Sequence, residues 1–346
     1  MLLSEKNRHG GDIYTHRGFL DFSANINPFG MPEEVRLAAE RAVGKSEVYP
    51  DPYCRALREK LAAAEGVLPE HVLCGNGAAE LIYAFAYALP KDKPALIVGP
   101  TFCEYEAALS AAGIPVAHYL LPAENGFAPD TRIPDADLSA FCALILCTPN
   151  NPTGKCVDPA LLEELCARAD RLFADLCFLD LTDAPGRYGL PALLKKYKNL
   201  VALRALTKSF AMPGLRLGYA LSCDKDFLSA MAQKTQSWNV SLPAQAAGSA
   251  ATDCAAWLRA CVSAISAERA RLAEALEALG VKVYPGEANF LLLHSEKDLY
   301  GALYDKKILV RDCGDIYGLG KGYVRIAVRL PKENDRLLAA VKEVLS

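Results

Sequence analysis

Lys208 is the residue of this chain whose surroundings most invite chemistry. It lies in Ala205-Leu-Thr-Lys-Ser-Phe-Ala-Met-Pro-Gly-Leu-Arg-Leu-Gly-Tyr219, between the hydroxyls of Thr207 and Ser209 and eight residues before Arg216. An ammonium in apolar company has to be paired, lose its proton or be converted into something else, because desolvating the charge is costly. A desolvated amine is neutral near physiological pH and can attack a carbonyl to form a Schiff base. A surface lysine at a strand end is the competing reading of the same stretch.

Other residues could serve such chemistry. Gly75-Asn-Gly-Ala-Ala-Glu80 follows the apolar Val72-Leu-Cys and would open a helix, so the backbone N–H groups of Gly77, Ala78 and Ala79 would face an anion, phosphate being the natural guest. Glu80 stands where a dinucleotide fingerprint needs its third glycine, and the lysine of a P-loop is missing; a plain glycine turn remains the alternative. Cys147-Thr-Pro-Asn-Asn-Pro-Thr-Gly154 makes a stiff polar loop after an apolar strand, at the sheet end where open α/β folds bind ligands. Asn151 there could donate to a phenolate oxygen, or the loop could be only an ornate turn. Asp180 closes Leu176-Cys-Phe-Leu, where a carboxylate needs a cationic partner such as a protonated pyridine nitrogen; a helix cap is the plainer role. Phe102 could stack on a flat cofactor or belong to the core, and the Tyr49 hydroxyl, in a proline-stiffened loop, could reach a phosphate. In Tyr323-Val-Arg-Ile-Ala-Val-Arg329, Arg325 and Arg329 alternate onto one face of a strand, suited to a carboxylate or to surface salt bridges.

These residues need a scaffold. Between about 55 and 220 the chain alternates helical patterns with short apolar runs, the signature of βαβ units. Expected strands are Ala95–Val98, Val116–Leu120, Ala143–Leu146, Phe178–Leu181, Val201–Ala205 and Gly218–Leu221; expected helices are Ala78–Ala88, Glu104–Ala112 and Pro159–Ala169, the last with an Asp158-Pro159 start. The expectation is an α/β fold with a mostly parallel sheet covered by helices in a large domain, residues 34–224, and a smaller α+β domain, residues 225–346, containing a long helix over Ala255–Leu279. Residues 1–33 would join the small domain or line the cleft. A chain of 346 residues exceeds one typical core. Its net charge of -3 and lack of long single-sign runs argue against nucleic acid or an anionic membrane as partner. The twelve cysteines sit singly, with no C-x-x-C pair and no nearby histidine cluster, so no zinc or other metal site is expected, and a reducing compartment is. The amino terminus is too poor in apolar residues for a signal peptide and no run reaches bilayer length, so a cytoplasmic location is expected.

With Gly75-Asn-Gly, Asn151-Pro-Thr-Gly, Asp180, Lys208 and Arg216 in this order, the chain resembles the fold-type I pyridoxal 5′-phosphate enzymes of the aspartate aminotransferase superfamily. The resemblance implies that Lys208 carries the cofactor as a Schiff base, that Asp180 pairs with its pyridine nitrogen, that Asn151 binds its phenolic oxygen and that Phe102 stacks on its ring. It further implies that Arg216, Thr207 and the backbone of Gly77, Ala78 and Ala79 hold its phosphate, and that Tyr49 comes from the partner subunit of a homodimer.

Two branches compete, histidinol-phosphate aminotransferases and L-threonine O-3-phosphate decarboxylases of cobalamin biosynthesis. His9-Gly-Gly-Asp12, Asp21-Phe-Ser-Ala-Asn-Ile-Asn-Pro-Phe-Gly30, Ser237-Trp-Asn-Val240 and Tyr284-Pro-Gly-Glu-Ala-Asn-Phe290 resemble the decarboxylase branch. The implied partner is a small phosphorylated amino acid, its carboxylate gripped by Arg325 and its phosphate near His9, Asn27, Arg311 and Arg329. The chain departs from the superfamily pattern at Leu181-Thr-Asp183, where Glu-Ala-Tyr or Glu-Ala-Phe normally follows the aspartate, and at Ala205, where a hydroxyl residue is usual. A non-catalytic descendant that binds a partner is a third reading, resting on the first departure.

Overall fold

The central strands of a seven-stranded sheet are apolar on both faces and therefore sit between layers of helices. The structure, a computed structural model, describes residues 9–130, 132, 133, 135 and 137–346. Most of the stretch read for a signal peptide, residues 1–8 of the expected N-terminal segment, lies outside the described residues. The large sheet contains β2 (Val72–Asn76), β3 (Ala95–Gly99), β4 (Val116–Leu120), β5 (Ala143–Cys147), β6 (Leu172–Asp175), β7 (Leu200–Ala205) and β8 (Leu217–Leu221). The short β1 (Leu20–Asp21) precedes it in the chain. The spatial order is β2-β8-β7-β6-β5-β3-β4. β8 runs antiparallel to both β2 and β7, and the other pairings are parallel.

The strand alternation divides the core. Leu144, Leu146, Leu172, Leu200 and Ala202 pack on one face of the sheet. Ile97, Ile145, Phe173 and Val201 face Phe85 and Leu81 on the other. The helix Pro159–Arg168 begins as its sequence demands, with the Asp158 carboxylate accepting the Ala160 N–H at 2.8 Å and proline in the first turn.

A second sheet of four antiparallel strands joins β9 (Lys282–Tyr284), β10 (Phe290–His294), β12 (Arg311–Asp312) and β13 (Tyr323–Ala327) in the order β12-β13-β10-β9. Between them in the chain, β11 (Ile308–Leu309) pairs parallel with β1. The segment that follows β1 passes into the cleft, where Ser23, Ala24 and Asn25 line the same cavity as Lys208. The 24-residue helix Ala255–Ala278 packs its Leu272 and Leu276 against the small sheet. Among the described residues, no helix is long and apolar enough to cross a membrane.

One strand differs from expectation. The run from Leu172 to Leu181 is apolar apart from two acids five positions apart, Asp175 and Asp180, so hydrophobicity alone places a strand before either. Pairing with β5 and β7 selects Leu172–Asp175. The expected strand Phe178–Leu181 is instead a bend ending in the short 3-10 turn Leu179–Leu181. The consequence for the site is large.

Candidate active site

The carboxyl ends of β5, β6 and β7 converge on a cavity of about 630 Å³. Lys208 lines it from the four-residue helical turn Leu206–Ser209 that directly follows β7. This turn is pinned from the N-terminal segment: the Asn27 N–H donates to the Lys208 carbonyl at 3.0 Å, and Asn27 Nδ2 donates to the Ser209 carbonyl at 2.9 Å. Asn27 therefore positions the lysine backbone and is not among the residues lining the cavity.

Burial pushes the Lys208 amine down to about 8, and the nearby guanidinium groups of Arg325 and Arg216 push the same way. The sign of the resulting pH dependence is definite. The neutral, nucleophilic amine grows as pH rises, so capture of an aldehyde cofactor by the apoprotein should accelerate roughly tenfold per pH unit and level off above about 8. Following the growth of visible absorbance after mixing checks this; a rate still climbing through pH 10 would mean an unperturbed lysine.

Asp180 is not in this cavity. Its carboxylate accepts from Arg204 Nη2 at 2.5 Å, and Arg204 Nε lies 3.2 Å from Glu65. Glu65 in turn accepts from the Tyr219 hydroxyl at 2.5 Å. These residues line a separate cavity that does not include Lys208. Of the two acids in this run, the one that shares the Lys208 cavity is Asp175, at the end of β6. It is only 5% exposed and accepts from the Tyr105 hydroxyl at 2.6 Å and the Cys177 N–H at 2.9 Å. Burial raises its pKa against the pull of those two donors and of Lys208, the condition of a carboxylate that a cation would stabilise.

With Asp175 as the acid, the next residues are Leu176-Cys-Phe178, so an aromatic stands three positions on, as in the superfamily pattern. The departure narrows to Leu176-Cys177, which stand where Glu-Ala is usual, and Asp183 is an exposed partner of Ser266 and Arg269. An acid followed three residues later by an aromatic was the available signal for Asp175, and Asp180 obscured it. The departure at Ala205 stands, since that residue lines the cavity without a hydroxyl.

The loop after β5 is braced by the residue before Asn151. Asn150 Nδ2 donates to the Pro100 carbonyl at 2.8 Å and to Thr153 Oγ1 at 2.9 Å, while its Oδ1 accepts from Thr101 Oγ1 at 2.7 Å. Asn151 is thereby presented to the cavity, where its Oδ1 accepts from Arg325 Nη1. Arg325 Nη2 donates to the Ser23 carbonyl at 2.6 Å, and its Nε is buried without a hydrogen bond. Burial pushes this guanidinium down to about 10, which leaves it a cation at neutral pH, short of an anionic partner.

At another part of the cavity the helix Gly77–Ala88 opens with Gly77 at φ +78, and Ala78 and Ala79 line the wall. A Cβ on Gly77 would meet Arg216 Nη2 at 2.6 Å, so only glycine lets this guanidinium lie against the helix N-terminus. Together they form an anion cradle. Thr207 also lines the cavity, as does Phe102, whose ring lies 5.7 Å from that of His9 and 5.8 Å from that of Tyr105.

Of the remaining expected residues, His9 and Arg311 line the cavity, with His9 Nε2 3.0 Å from Glu104 and Arg311 Nη2 2.9 Å from Asp315. Arg329 does not: β13 ends at Ala327, so strand alternation stops before it, and its guanidinium pairs with Glu333 at 2.8 Å. Tyr49 is 77% exposed and stacks on Trp238 with centroids 4.7 Å apart, away from this cavity. Asn25 had not been singled out, yet it lines the cavity 3% exposed with both amide atoms lacking a hydrogen bond. Its polarity alone gave no signal beside Asn27.

A lysine amine of lowered pKa, a buried carboxylate on the adjacent strand and a separate cradle of helix N-terminus and arginine fit pyridoxal 5′-phosphate, which carries an aldehyde, a ring nitrogen and a phosphate. Comparisons with known proteins agree. The family model for aminotransferase class I and II matches residues 17–341. The threonine-phosphate decarboxylase of Salmonella typhimurium is 38% identical, over 98% of this chain and 96% of that protein. Histidinol-phosphate aminotransferase 1 of Archaeoglobus fulgidus is 33% identical over 93% of this chain and 98% of its own length. The crystal structure of L-threonine-O-3-phosphate decarboxylase from Porphyromonas gingivalis superposes with a TM-score of 0.84 at 26% identity, covering 94% of this chain and 99% of that one. The chain belongs to the aminotransferase class I and II family, with the fold-type I architecture, and is a pyridoxal 5′-phosphate-dependent enzyme.

Proposed function

We propose that the protein decarboxylates L-threonine O-3-phosphate to (R)-1-aminopropan-2-yl phosphate, a step in cobalamin biosynthesis. The observation that carries this reading is Arg325, a buried cation in the Lys208 cavity with an unpartnered Nε, suited to grip a substrate carboxylate bidentately. Arg311 and His9, which line the same cavity, are the groups for a substrate phosphate. The name and identity of the Salmonella relative support the same substrate.

When bound, the cofactor supplies an aldehyde that captures amines and a ring that accepts the electron pair of the bond broken at Cα. The residues do the rest. Asp175 would hold a ring nitrogen in its protonated form, because a cation there would compensate its buried charge. Asn151 holds the phenolic oxygen, and Arg216 with Thr207 and the N–H groups of Gly77, Ala78 and Ala79 hold the cofactor phosphate. Arg325 would hold the substrate carboxylate and so fix the orientation of its bond to Cα. Lys208, with an amine poised near neutrality, returns a proton to Cα. Phe102, on the cavity wall, would stack on the ring and exclude water. The exposed Tyr49, stacked on Trp238, is the part of this reading that requires a homodimer, since its hydroxyl would complete the phosphate site of the partner subunit.

An aminotransferase of the histidinol-phosphate type would use the same lysine to abstract the Cα proton, and the Archaeoglobus relative supports that second reading. The two separate in one assay. The holoenzyme is given threonine phosphate and evolved carbon dioxide is measured, in parallel with histidinol phosphate and 2-oxoglutarate, where glutamate is measured. Carbon dioxide from the first mixture is expected; glutamate from the second with no carbon dioxide from the first would overturn the decarboxylase.

A further inference from the structure

At the mouth of the cofactor cavity three side chains offer an imidazole nitrogen, a thiol and a carboxylate to one point. His9 Nε2 is 3.0 Å from Glu104 Oε1, and the ligand atoms of His9, Cys103 and Glu104 all lie within 4.8 Å of one another. All three line the cavity. Neither family chemistry nor the proposed decarboxylation uses the thiol.

We propose that His9, Cys103 and Glu104 form an open three-ligand site for zinc, and that zinc bound there obstructs substrate entry. The donor set is the one zinc prefers, nitrogen and sulfur with a carboxylate oxygen. Tetrahedral coordination at the usual bond lengths of roughly 2.0–2.3 Å separates ligand atoms by about 3.3–3.8 Å, so the three atoms need to close by an ångström or so. The backbone makes that closure local: Cys103 and Glu104 are consecutive, at the start of the helix Glu104–Ala111, and His9 is already seated on the carboxylate and against Phe102. Charge is suitable as well. A thiolate and a carboxylate balance the dication, the thiol proton leaving to solvent as the metal replaces it, and the neighbouring Arg311 is matched by Asp315 at 2.9 Å. The site is reached from solvent, since the His9 side chain is 38% exposed.

Occupancy has a direct effect on the reaction. Zinc would hold the His9 imidazole at the wall of the cavity that Lys208 also lines, so inhibition should be relieved by chelator and should be competitive with substrate. Zinc binding itself is independent of which phosphorylated substrate the enzyme takes, so the two ideas fail separately.

The test titrates the holoenzyme with zinc chloride against a chromophoric chelator, for the native protein and for Cys103→Ser, Cys103→Ala and His9→Ala. One equivalent bound by the native protein, with affinity reduced at least about tenfold in each variant, is expected. Cofactor absorbance retained in Cys103→Ser shows that the fold and the cofactor site survive. No retained zinc in the native protein, or retention unchanged in all three variants, would overturn the site.

Discussion

Asp175→Asn is expected to lower turnover by about a hundred- to a thousandfold, the loss typical of removing one preorganised group that stabilises charge in a closed site, while Asp180→Asn leaves turnover within a few-fold. The two acids lie five residues apart in one apolar run, and their environments assign them different work. Asp175 faces the Lys208 cavity with its other lone pairs already taken by Tyr105 and Cys177. An asparagine there keeps the shape and those contacts in part, but it carries no charge to hold a ring nitrogen protonated. Asp180 belongs to the Glu65–Arg204–Tyr219 network behind the sheet. Replacing it leaves Arg204 paired with Glu65 alone, so the loss should appear in stability, at about 1–3 kcal/mol. Steady-state turnover and chemical denaturation of both variants check the pair of effects. Equal turnover losses in the two would place Asp180 in the catalytic machinery after all.

Lys208→Ala is expected to reduce turnover by at least about ten-thousandfold, the upper end of what one positioned acid–base group supplies, and to abolish the visible absorbance of lysine-bound cofactor. Lys208→Arg should not rescue it. A guanidinium keeps its proton at any working pH and is no nucleophile, whereas the native amine is pushed down to about 8 by burial and by Arg325 and Arg216. The phosphate cradle at Gly77 and Arg216 is untouched by either change, so the variants should still retain cofactor non-covalently. Borohydride reduction, which fixes lysine-bound cofactor to the chain, followed by denaturation, dialysis and phosphate analysis distinguishes covalently held cofactor from cofactor that is only retained. Turnover in Lys208→Ala within tenfold of the native value would remove the lysine from the mechanism.

The parts of this protein that depend on local rules were legible in the chain. The short apolar runs of β5 and β7, the Asp158-Pro159 helix start and the glycine before an apolar helix at Gly77 are decided by neighbours a few positions away. Lys208, Asn151 and Arg216 stood out by their order along the chain, since each stretch alone admits a plain structural reading, and the fold brings all three to one cavity. Tertiary structure alone settled the rest. Asp175 and Asp180 end equally apolar runs, and only hydrogen bonding of Leu172–Asp175 between β5 and β7 brought the first into the cavity and sent the second to Arg204. Arg325 and Arg329 share a strand face on paper, but β13 ends between them. Asn27 and Asn25 stand two apart in one polar turn. The fold turned Asn27 to brace the lysine backbone and left Asn25 buried at the cavity wall. In each case the residue type was compatible with either role, and what chose was pairing with another strand, a contact with a segment distant in the chain, or a strand boundary, none of which is a property of the local sequence.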